Sequence, residues 1–191
     1  MEYNSALFYL PRFVHKLTFF LTAVLVFSLT LTACTPKFDW RQSRVGDAPG
    51  TILMPGKPAQ LSREIRIGQQ TVTMQMSAAR IDSIKFAIGA ARMPNATEAQ
   101  ASIAVIKNSL LQNISGQITH DKSGVTNEAG IVTFNDQFEA NGSNPGLRMV
   151  GRLVARDAWV YQVLVVGPGV AMDRAADREA AENFLSSFKP V

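Results

Sequence analysis

The clearest structural signal in the chain is the stretch from Leu61 to Ala78, which reads LSREIRIGQQTVTMQMSA. Apolar and polar residues alternate through most of this stretch, on both sides of Gly68-Gln69. A period of two places successive side chains on opposite faces of a strand, so one face is buried and the other is wet. Since Gly68-Gln69 has the composition of a hairpin turn, the stretch predicts two antiparallel strands.

Further strand signals lie on both sides of this hairpin. The short apolar run Thr51–Met54 stops at Pro55-Gly56, which is a turn pair. Residues 84–88 repeat the alternation, and a second group of strands begins near Val132. The segment Trp159–Val166 is apolar on both of its faces, which is typical of a strand covered on both sides.

Two helices are predicted between and after these strands. Asn95 is the expected N-cap of the first, with Glu98 three residues later as in a capping box, and Ser115-Gly116 ends it. The second is expected to begin at Asp173, with Lys189 complementing the negative end of its dipole. Since most strands follow one another through short turns, we expect an α+β fold in which helices cover the faces of a largely antiparallel sheet.

The second group of strands also permits a prediction of register. Apolar residues face each other if Phe138 lies opposite Met149 and Phe134 lies opposite Leu153. The same register places Glu139 opposite Arg148, which would form a cross-strand pair of opposite charges. We therefore expect paired residue numbers in this hairpin to sum to 287.

Three segments carry a family resemblance that extends over about residues 50–189. They are Ile52–Pro58 (ILMPGKP), Trp159–Pro168 (WVYQVLVVGP) and Phe184–Lys189 (FLSSFK). They resemble motifs of a group of uncharacterised bacterial exported domains, which is similar to the PsbP/DcrB-like fold. The resemblance implies an antiparallel sheet with helices on both faces. It further implies an accessory, assembly or binding role at membranes, and it transfers no catalytic residue.

The amino-terminal segment has the layout of a secretory signal. An uncharged, mostly apolar run, Leu17–Ala33, follows the basic residues Arg12 and Lys16. It ends in Leu31-Thr32-Ala33-Cys34, and Cys34 is the only cysteine in the chain. This tetrapeptide resembles the lipobox of bacterial lipoproteins, in which the chain is cut before an acylated cysteine. An uncleaved membrane anchor is the alternative interpretation.

The lipobox interpretation sets the expected domain organisation and location. We expect a signal peptide over 1–33, a tether over 34–49 and one α+β domain over 50–191. In the tether, Phe38 and Trp40 would either dock on the domain or rest at the membrane interface. The acylated Cys34 would hold the product on the periplasmic side of a membrane in the cell envelope. At position 35, Thr rather than Asp favours the outer membrane over the inner one.

Charge and composition exclude several classes of function. Removal of residues 1–33 takes away two basic residues and one acidic residue, which leaves a net charge of +3. This mild charge gives no case for nucleic-acid binding, which uses a concentrated basic surface. The sequence holds no paired cysteines, no HExxH motif, no P-loop and no dinucleotide fingerprint, so we expect no cofactor and no metal.

Few residues are candidates for chemistry. His120 is the only histidine of the mature chain, and we expect it in a solvated loop over His120–Gly124. The less favoured alternatives are a general base with Asp121, or a metal site with Asp121 and Glu128. Arg148, Arg152 and Arg156 recur every four residues on a strand and so project from one side. They form either an anion-binding stripe, for lipid headgroups or surface sugars, or the wet face of a half-buried sheet.

Three hypotheses on function follow from the sequence. The first is a lipid-anchored, non-catalytic module that binds another protein of the envelope, whose identity the sequence does not give. The second is a carrier of a small ligand or lipid, which requires an enclosed apolar pocket between sheet and helix. Met74, Met76 and Met149 would line that pocket, or else simply fill the core. The third is a hydrolytic enzyme, which requires polar groups that converge around His120 or a carboxylate pair.

Overall fold

A computed structural model describes residues 36–143 and 146–191. Within them, Lys37–Val191 form one compact unit. The predicted cleavage motif and lipidation site lie outside the described residues; they are Leu31, Thr32, Ala33 and Cys34. In the described part of the chain, no helix is both long enough and apolar enough to cross a membrane.

Ten strands and three helices make up the described residues. In chain order they are β1 (Arg41–Val45), β2 (Ala48–Met54), β3 (Ala59–Ile67), β4 (Gln70–Ile81), β5 (Ile84–Arg92), α1 (Ala96–Ile114), β6 (Gln117–Glu128), β7 (Ile131–Asn141), β8 (Leu147–Arg156), β9 (Trp159–Pro168), α2 (Gly169–Met172), α3 (Ala175–Ser187) and β10 (Lys189–Pro190).

The strands form two antiparallel sheets. The large sheet has seven strands in the order β3-β4-β5-β9-β8-β7-β6, and the small sheet has the order β1-β2-β10. Helix α1 packs on one face of the large sheet, which we call the α1 face. The small sheet and α3 pack on the opposite face, which we call the α3 face. This confirms the predicted α+β fold, with an antiparallel sheet between covering layers.

Short sequence patterns correctly predicted the β3–β4 turn, the start of α1 and the burial of β9. The hairpin of β3 and β4 turns at Gly68-Gln69, where Gly68 has a φ of 60° and Ile67 pairs with Gln70. Asn95 caps α1, because its side-chain oxygen accepts a hydrogen bond from the Glu98 N–H at 2.9 Å. Strand β9 is buried on both faces, as its continuous apolar sequence predicted.

The predicted register of β7 and β8 is wrong by two residues. Phe138 lies opposite Gly151, not Met149, and Arg148 lies opposite Asn141, not Glu139. The Phe138 ring occupies the space above Gly151, where an added Cβ would come within 2.5 Å of it. A count of apolar pairs overlooks this arrangement, because glycine contributes no apolar side chain to the pair. A shift of two residues leaves the assignment of side chains to faces unchanged.

The closing helix also differs from the prediction. A single turn, α2, follows β9 directly, and α3 begins at Ala175 rather than at Asp173. Lys189 lies in β10, where it pairs with Thr51 of β2, and so it is not positioned in the last turn of α3. After Phe188, the chain continues as β10 and adds a third strand to the small sheet.

Residues 37–49, which the sequence analysis placed in a tether, belong to the compact unit. They include all of β1 and the start of β2, and Val45 is buried in the core on the α3 face. Phe38 and Trp40 are partly buried against the same core, with their ring centroids 5.8 Å apart. Of the two placements considered for these aromatic residues, the structure shows docking on the domain.

Candidate functional site

Strand β6 is the most exposed element of the described structure. It spans twelve residues at one edge of the large sheet, and all twelve are exposed. One side of β6 pairs with β7, whereas no strand of residues 36–143 or 146–191 pairs with its other side. Ile118 and Val125 are 40% and 59% exposed, respectively. An exposed edge of this kind presents backbone N–H and C=O groups that can pair with another polypeptide segment.

A charged cluster holds the β6–β7 hairpin against α1. Lys107 of α1 contacts Asp121 Oδ1 of β6 at 2.6 Å and Asp136 Oδ1 of β7 at 2.9 Å. The Lys107 side chain is only 11% exposed, and its Nζ lies 5.5 Å from the centre of the Phe138 ring. Burial acts to lower the pKa of Lys107, but the hydrogen bonds that Lys107 donates to both carboxylates, together with their negative charge, outweigh it, so the pKa is raised.

The structure separates the residues considered for catalysis or metal binding. His120 lies on β6, not in a loop, and its side chain is 79% exposed. Its Nδ1 is 3.6 Å from Glu139 Oε2 on the α3 face, whereas Asp121 contacts Lys107 on the α1 face. Glu128 lies eight residues further along the strand, about 26 Å away. His120, Asp121 and Glu128 therefore cannot act on one substrate atom or bind one ion.

A groove between α3 and the β6–β8 part of the sheet lies beside His120. Its volume is about 480 Å³, and Leu185, Val150 and Lys122 contribute to its walls. Ser186 also lines it, but its hydroxyl donates to the Glu182 carbonyl at 2.7 Å. The hydroxyl of Ser186 is therefore already engaged by the backbone of α3. Among the described residues, no group of three or more His, Cys, Asp or Glu side chains could hold a metal ion.

The three arginines of the predicted stripe do project from one side of β8, but each is engaged within the domain. Arg148 Nη1 contacts Asp173 Oδ1 at 2.5 Å, and Arg156 donates to the Thr133 hydroxyl at 2.9 Å. Arg152 donates to the carbonyl oxygens of Leu185 and Phe188, each at 3.1 Å.

Arg152 is thus a structural residue that satisfies carbonyl groups at the end of α3. Its guanidinium also donates to Asn135 Oδ1, and burial lowers its pKa from the usual value for arginine. Neither interpretation offered from sequence, a free anion-binding stripe or a wet sheet face, describes these contacts. The sequence pattern could not reveal them, because it does not show that α3 packs over β8.

Met74 and Met76 line an open cleft on the α1 face, whereas Met149 is buried in the core of that face. The cleft has a volume of about 360 Å³ and lies between α1 and the β3–β4 hairpin. Met74 is buried in its floor, and the partly buried Met76 packs beside it. Val105, which is 42% exposed, and Arg63 stand at the sides. Because exposed residues form its walls, the cleft is open to solvent, unlike the enclosed pocket that the carrier hypothesis requires.

Comparison with known proteins supports the fold. No protein-family model matches the sequence, and no curated protein sequence matches it. The solution structure of cyanobacterial PsbP (CyanoP) from Synechocystis sp. PCC 6803 is similar, with a TM-score of 0.51 and 11% sequence identity. The match covers 85% of this chain and 99% of that chain. The described domain therefore has a PsbP-like α+β fold.

Proposed function

We propose that this chain is a lipoprotein of a bacterial cell envelope whose PsbP-like domain is a non-catalytic module that binds another protein. Cleavage after the Leu31-Thr32-Ala33 motif and acylation of Cys34 would place the domain on the periplasmic side of a membrane. The signal-like pattern of residues 1–34 supports the lipid anchor. The separation of His120, Asp121 and Glu128 favours a binding role over catalysis.

The exposed edge of β6 is the observation that carries the binding role. An extended segment of the partner would add to β6 as a further strand, with main-chain hydrogen bonds supplying affinity. The Lys107 contacts with Asp121 and Asp136 hold the β6–β7 hairpin in place beforehand, which lowers the entropy lost on binding. Ile118 and Val125 would then gain apolar neighbours on the incoming strand.

The lipid anchor contributes to binding by confining the domain to a surface. A tethered binding module meets partners on the same membrane at an effective concentration that can reach about the millimolar range for short linkers. Weak strand pairing would therefore suffice for association at the membrane. The same pairing would be rare between molecules free in solution.

Photo-crosslinking in cells tests the role of β6. A photoreactive residue is placed in turn at Lys122, Ser123, Gly124 and Val125. Side chains of an added strand alternate between both faces, so strand addition predicts crosslinked product from all four positions. Docking on one face of the sheet predicts product from every second position only. Glu64, exposed on the opposite edge strand β3, is the matched control and should give no product.

Val125→Lys provides a second arm of this experiment. The side chain is 59% exposed, so the substitution should leave stability nearly unchanged. A charge on an edge strand disfavours strand addition, and the crosslinked product from Ser123 should be lost. Product from Glu64 without product from β6 would contradict the proposed binding mode.

Mass spectrometry of the mature protein tests the anchor independently. The amino-terminal residue should be Cys34 carrying fatty acyl chains, and Cys34→Ala should abolish both cleavage and acyl labelling. A mature chain that begins at another residue, or at an unmodified Cys34, would contradict the anchor while leaving the role of β6 open to its own test.

The second candidate function is the binding of a small apolar ligand; the cleft on the α1 face is open to solvent, but its floor at Met74 is apolar and buried and would be the binding site. Met74 and Gln162, which line the cleft, pack directly over Gly89, where an added Cβ would lie 2.9 Å from the Met74 sulfur and from the Gln162 amide nitrogen and would push both side chains towards the cleft. Titration with a fluorescent fatty acid tests it. Binding that is weakened by Gly89→Val, but not by Gly124→Val on β6, would support the carrier function; no saturable binding would exclude it for fatty acids.

A further inference from the structure

The first residues of the described domain are fixed to its body by ion pairs of Lys37, one of which is with a buried carboxylate. Lys37 Nζ contacts Asp177 Oδ1 at 2.5 Å and Asp82 Oδ2 at 3.1 Å. The Asp177 side chain is 2% exposed, and its hydrogen bond is the main reason that the pKa of Lys37 is raised. The Asp39 N–H donates to the Pro55 carbonyl at 3.0 Å, so the chain is held again two residues later.

Only two residues separate the fixed Lys37 from Cys34 in the sequence. Three extended residues span at most about 11 Å. If Cys34 carries the lipid, as proposed above, the bilayer surface must therefore lie close to the end of the domain that holds Lys37. A long flexible tether, which would let the domain tumble freely, is excluded by this spacing.

The end of the domain around Lys37, which we call the anchor end, comprises the β2–β3 connection, the β4–β5 turn and the single-turn helix α2. Strand pairing brings these together, since Ile81 lies opposite Ile84 and Lys85 lies opposite Val166 near the end of β9. An added Cβ on Gly56 would lie 3.3 Å from Ile81, which places the β2–β3 connection beside the β4–β5 turn.

The anchor end carries basic side chains that the domain leaves without acidic partners. Lys57, Arg80 and Lys85 are exposed, and in the part of the chain that the structure describes none has a carboxylate within 4.0 Å. Arg80 and Lys85 lie directly opposite each other on β4 and β5. Like charges in directly opposed positions destabilise a strand pair, and an anion beside them would relieve the repulsion.

Asp82, Asp173 and Asp177 of the anchor end already have basic partners. Lys37 is shared by Asp82 and Asp177, Arg174 Nη1 lies 3.9 Å from Asp177 Oδ2, and Asp173 contacts Arg148. Val170 of α2, which is 78% exposed, adds an apolar side chain to the same surface. Each Lys or Arg near an anionic membrane surface is attracted to it by the surface charge.

We propose that the anchor end rests on anionic lipid headgroups of the membrane that holds Cys34, with Lys57, Arg80 and Lys85 as the contacting residues. The inference rests on the proposed lipid anchor and adds an orientation to it. The strands of the large sheet then lead away from the bilayer.

Quenching by labelled lipids tests this orientation in the full, acylated chain. Val170→Cys and Gln69→Cys each receive a fluorophore, because acylation leaves Cys34 without a free thiol. Gln69 is exposed in the β3–β4 turn, at the far end of β4 and about 36 Å from the β4–β5 turn. In vesicles of phosphatidylglycerol and phosphatidylethanolamine with a headgroup quencher, fluorescence should be lost at position 170 and retained at position 69.

Charge reversal separates headgroup binding from tethering alone. Arg80→Glu with Lys85→Glu should weaken the quenching at position 170 on the anionic vesicles, although the short link to Cys34 still keeps this end of the domain near the bilayer. The matched control, Arg63→Glu with Arg66→Glu on β3, should not. On vesicles of phosphatidylcholine, the Arg80 and Lys85 reversals should have no effect, since no net charge is then involved. Thermal unfolding of each variant checks that the fold is intact.

The outcomes distinguish the two proposals. Equal quenching at positions 69 and 170, in protein whose acylated Cys34 is verified by mass spectrometry, would overturn the orientation and leave the anchor standing. Quenching at position 170 that is unaffected by Arg80→Glu with Lys85→Glu would overturn the headgroup contact. Mature protein without lipid on Cys34 would overturn the anchor and the orientation together.

Discussion

Strands β9 and β6 belong to the same antiparallel sheet, but they differ in almost every other respect. In β9, Val160, Val163 and Val165 are completely buried, and both faces of the strand are covered. All twelve residues of β6 are exposed, although the strand is longer and pairs regularly with β7 over most of its length. Backbone pairing alone thus extends the sheet beyond its core, and apolar burial determines where the sheet is stable. We expect the residues around β9 to contribute most to the free energy of unfolding, and we expect β6 to bind the partner protein.

The largest expected effect is a loss of stability in the core beside β9. Phe86 lies opposite Val165 and packs edge-on against Phe184, with ring centroids 5.4 Å apart. Phe86→Ala should lower the free energy of unfolding by about 3–5 kcal/mol. Val125→Ala on β6 should change it by no more than about 0.5 kcal/mol. Chemical denaturation measures both, and a similar loss for the two variants would contradict the comparison.

A pair of glycine substitutions sharpens the comparison. Gly151→Ala on β8 would bring a Cβ within 2.5 Å of the Phe138 ring and should cost about 1–3 kcal/mol. Gly124→Ala on β6 meets nothing within 4 Å and should be nearly neutral or slightly stabilising. Thermal unfolding of both variants checks this. If Gly151→Ala were neutral, the register in which Phe138 lies opposite Gly151 would be in doubt.

The contacts that join β6 to α1 should contribute less to stability than the core around Phe86 does. Lys107→Met removes the ion pairs with Asp121 and Asp136 and should cost about 1–2 kcal/mol. Lys122→Met, on the opposite face of β6, is the control and should have little effect. Hydrogen exchange should accelerate in β6 and β7 of the Lys107 variant but not in β9.

The same substitution has a pH signature. The pKa of Lys107 is raised above its unfolded value of 10.5, so the stabilisation is complete below pH 10.5 and is lost as pH rises through the folded pKa. Lys107→Met should therefore lose less stability between neutral and strongly alkaline pH than the native chain does. An identical alkaline loss in both proteins would contradict the role of the ammonium group.

The smallest expected effect concerns a single hydrogen bond of β9. The Tyr161 hydroxyl donates to the Pro49 carbonyl at 2.6 Å and joins β9 to the small sheet. Tyr161→Phe should cost about 1 kcal/mol. Ser123→Ala removes an exposed hydroxyl from β6 and should cost nothing measurable in thermal unfolding. A larger loss for Ser123 than for Tyr161 would reverse the expected order.

How much of this could be predicted from the sequence differs between the two strands. Strand β9, the turn at Gly68 and the cap at Asn95 were predicted because each has a signal within a few residues. Strand β6 was not predicted, because its composition is that of a turn and its pairing with β7 is specified by tertiary structure rather than by a local signal.

The candidate site residues show the same limit. The four-residue spacing of Arg148, Arg152 and Arg156 correctly predicted that they share a face of β8. Their partners, Asp173, Leu185 and Thr133, lie on other elements, so no local pattern could show that the stripe is engaged. The basic surface of the anchor end was missed for a similar reason. Arg80 and Lys85 become neighbours only when β4 and β5 pair.

Amide hydrogen exchange on the isolated protein tests the central comparison most directly. Amides of β9 should exchange only through global unfolding, since both neighbouring strands protect them. In β6, amides directed at β7 should be protected, and those directed outward should exchange as fast as an unfolded chain, which gives an alternating pattern. Uniform protection along β6, equal to that of β9, would show that its edge is already covered and would contradict the account.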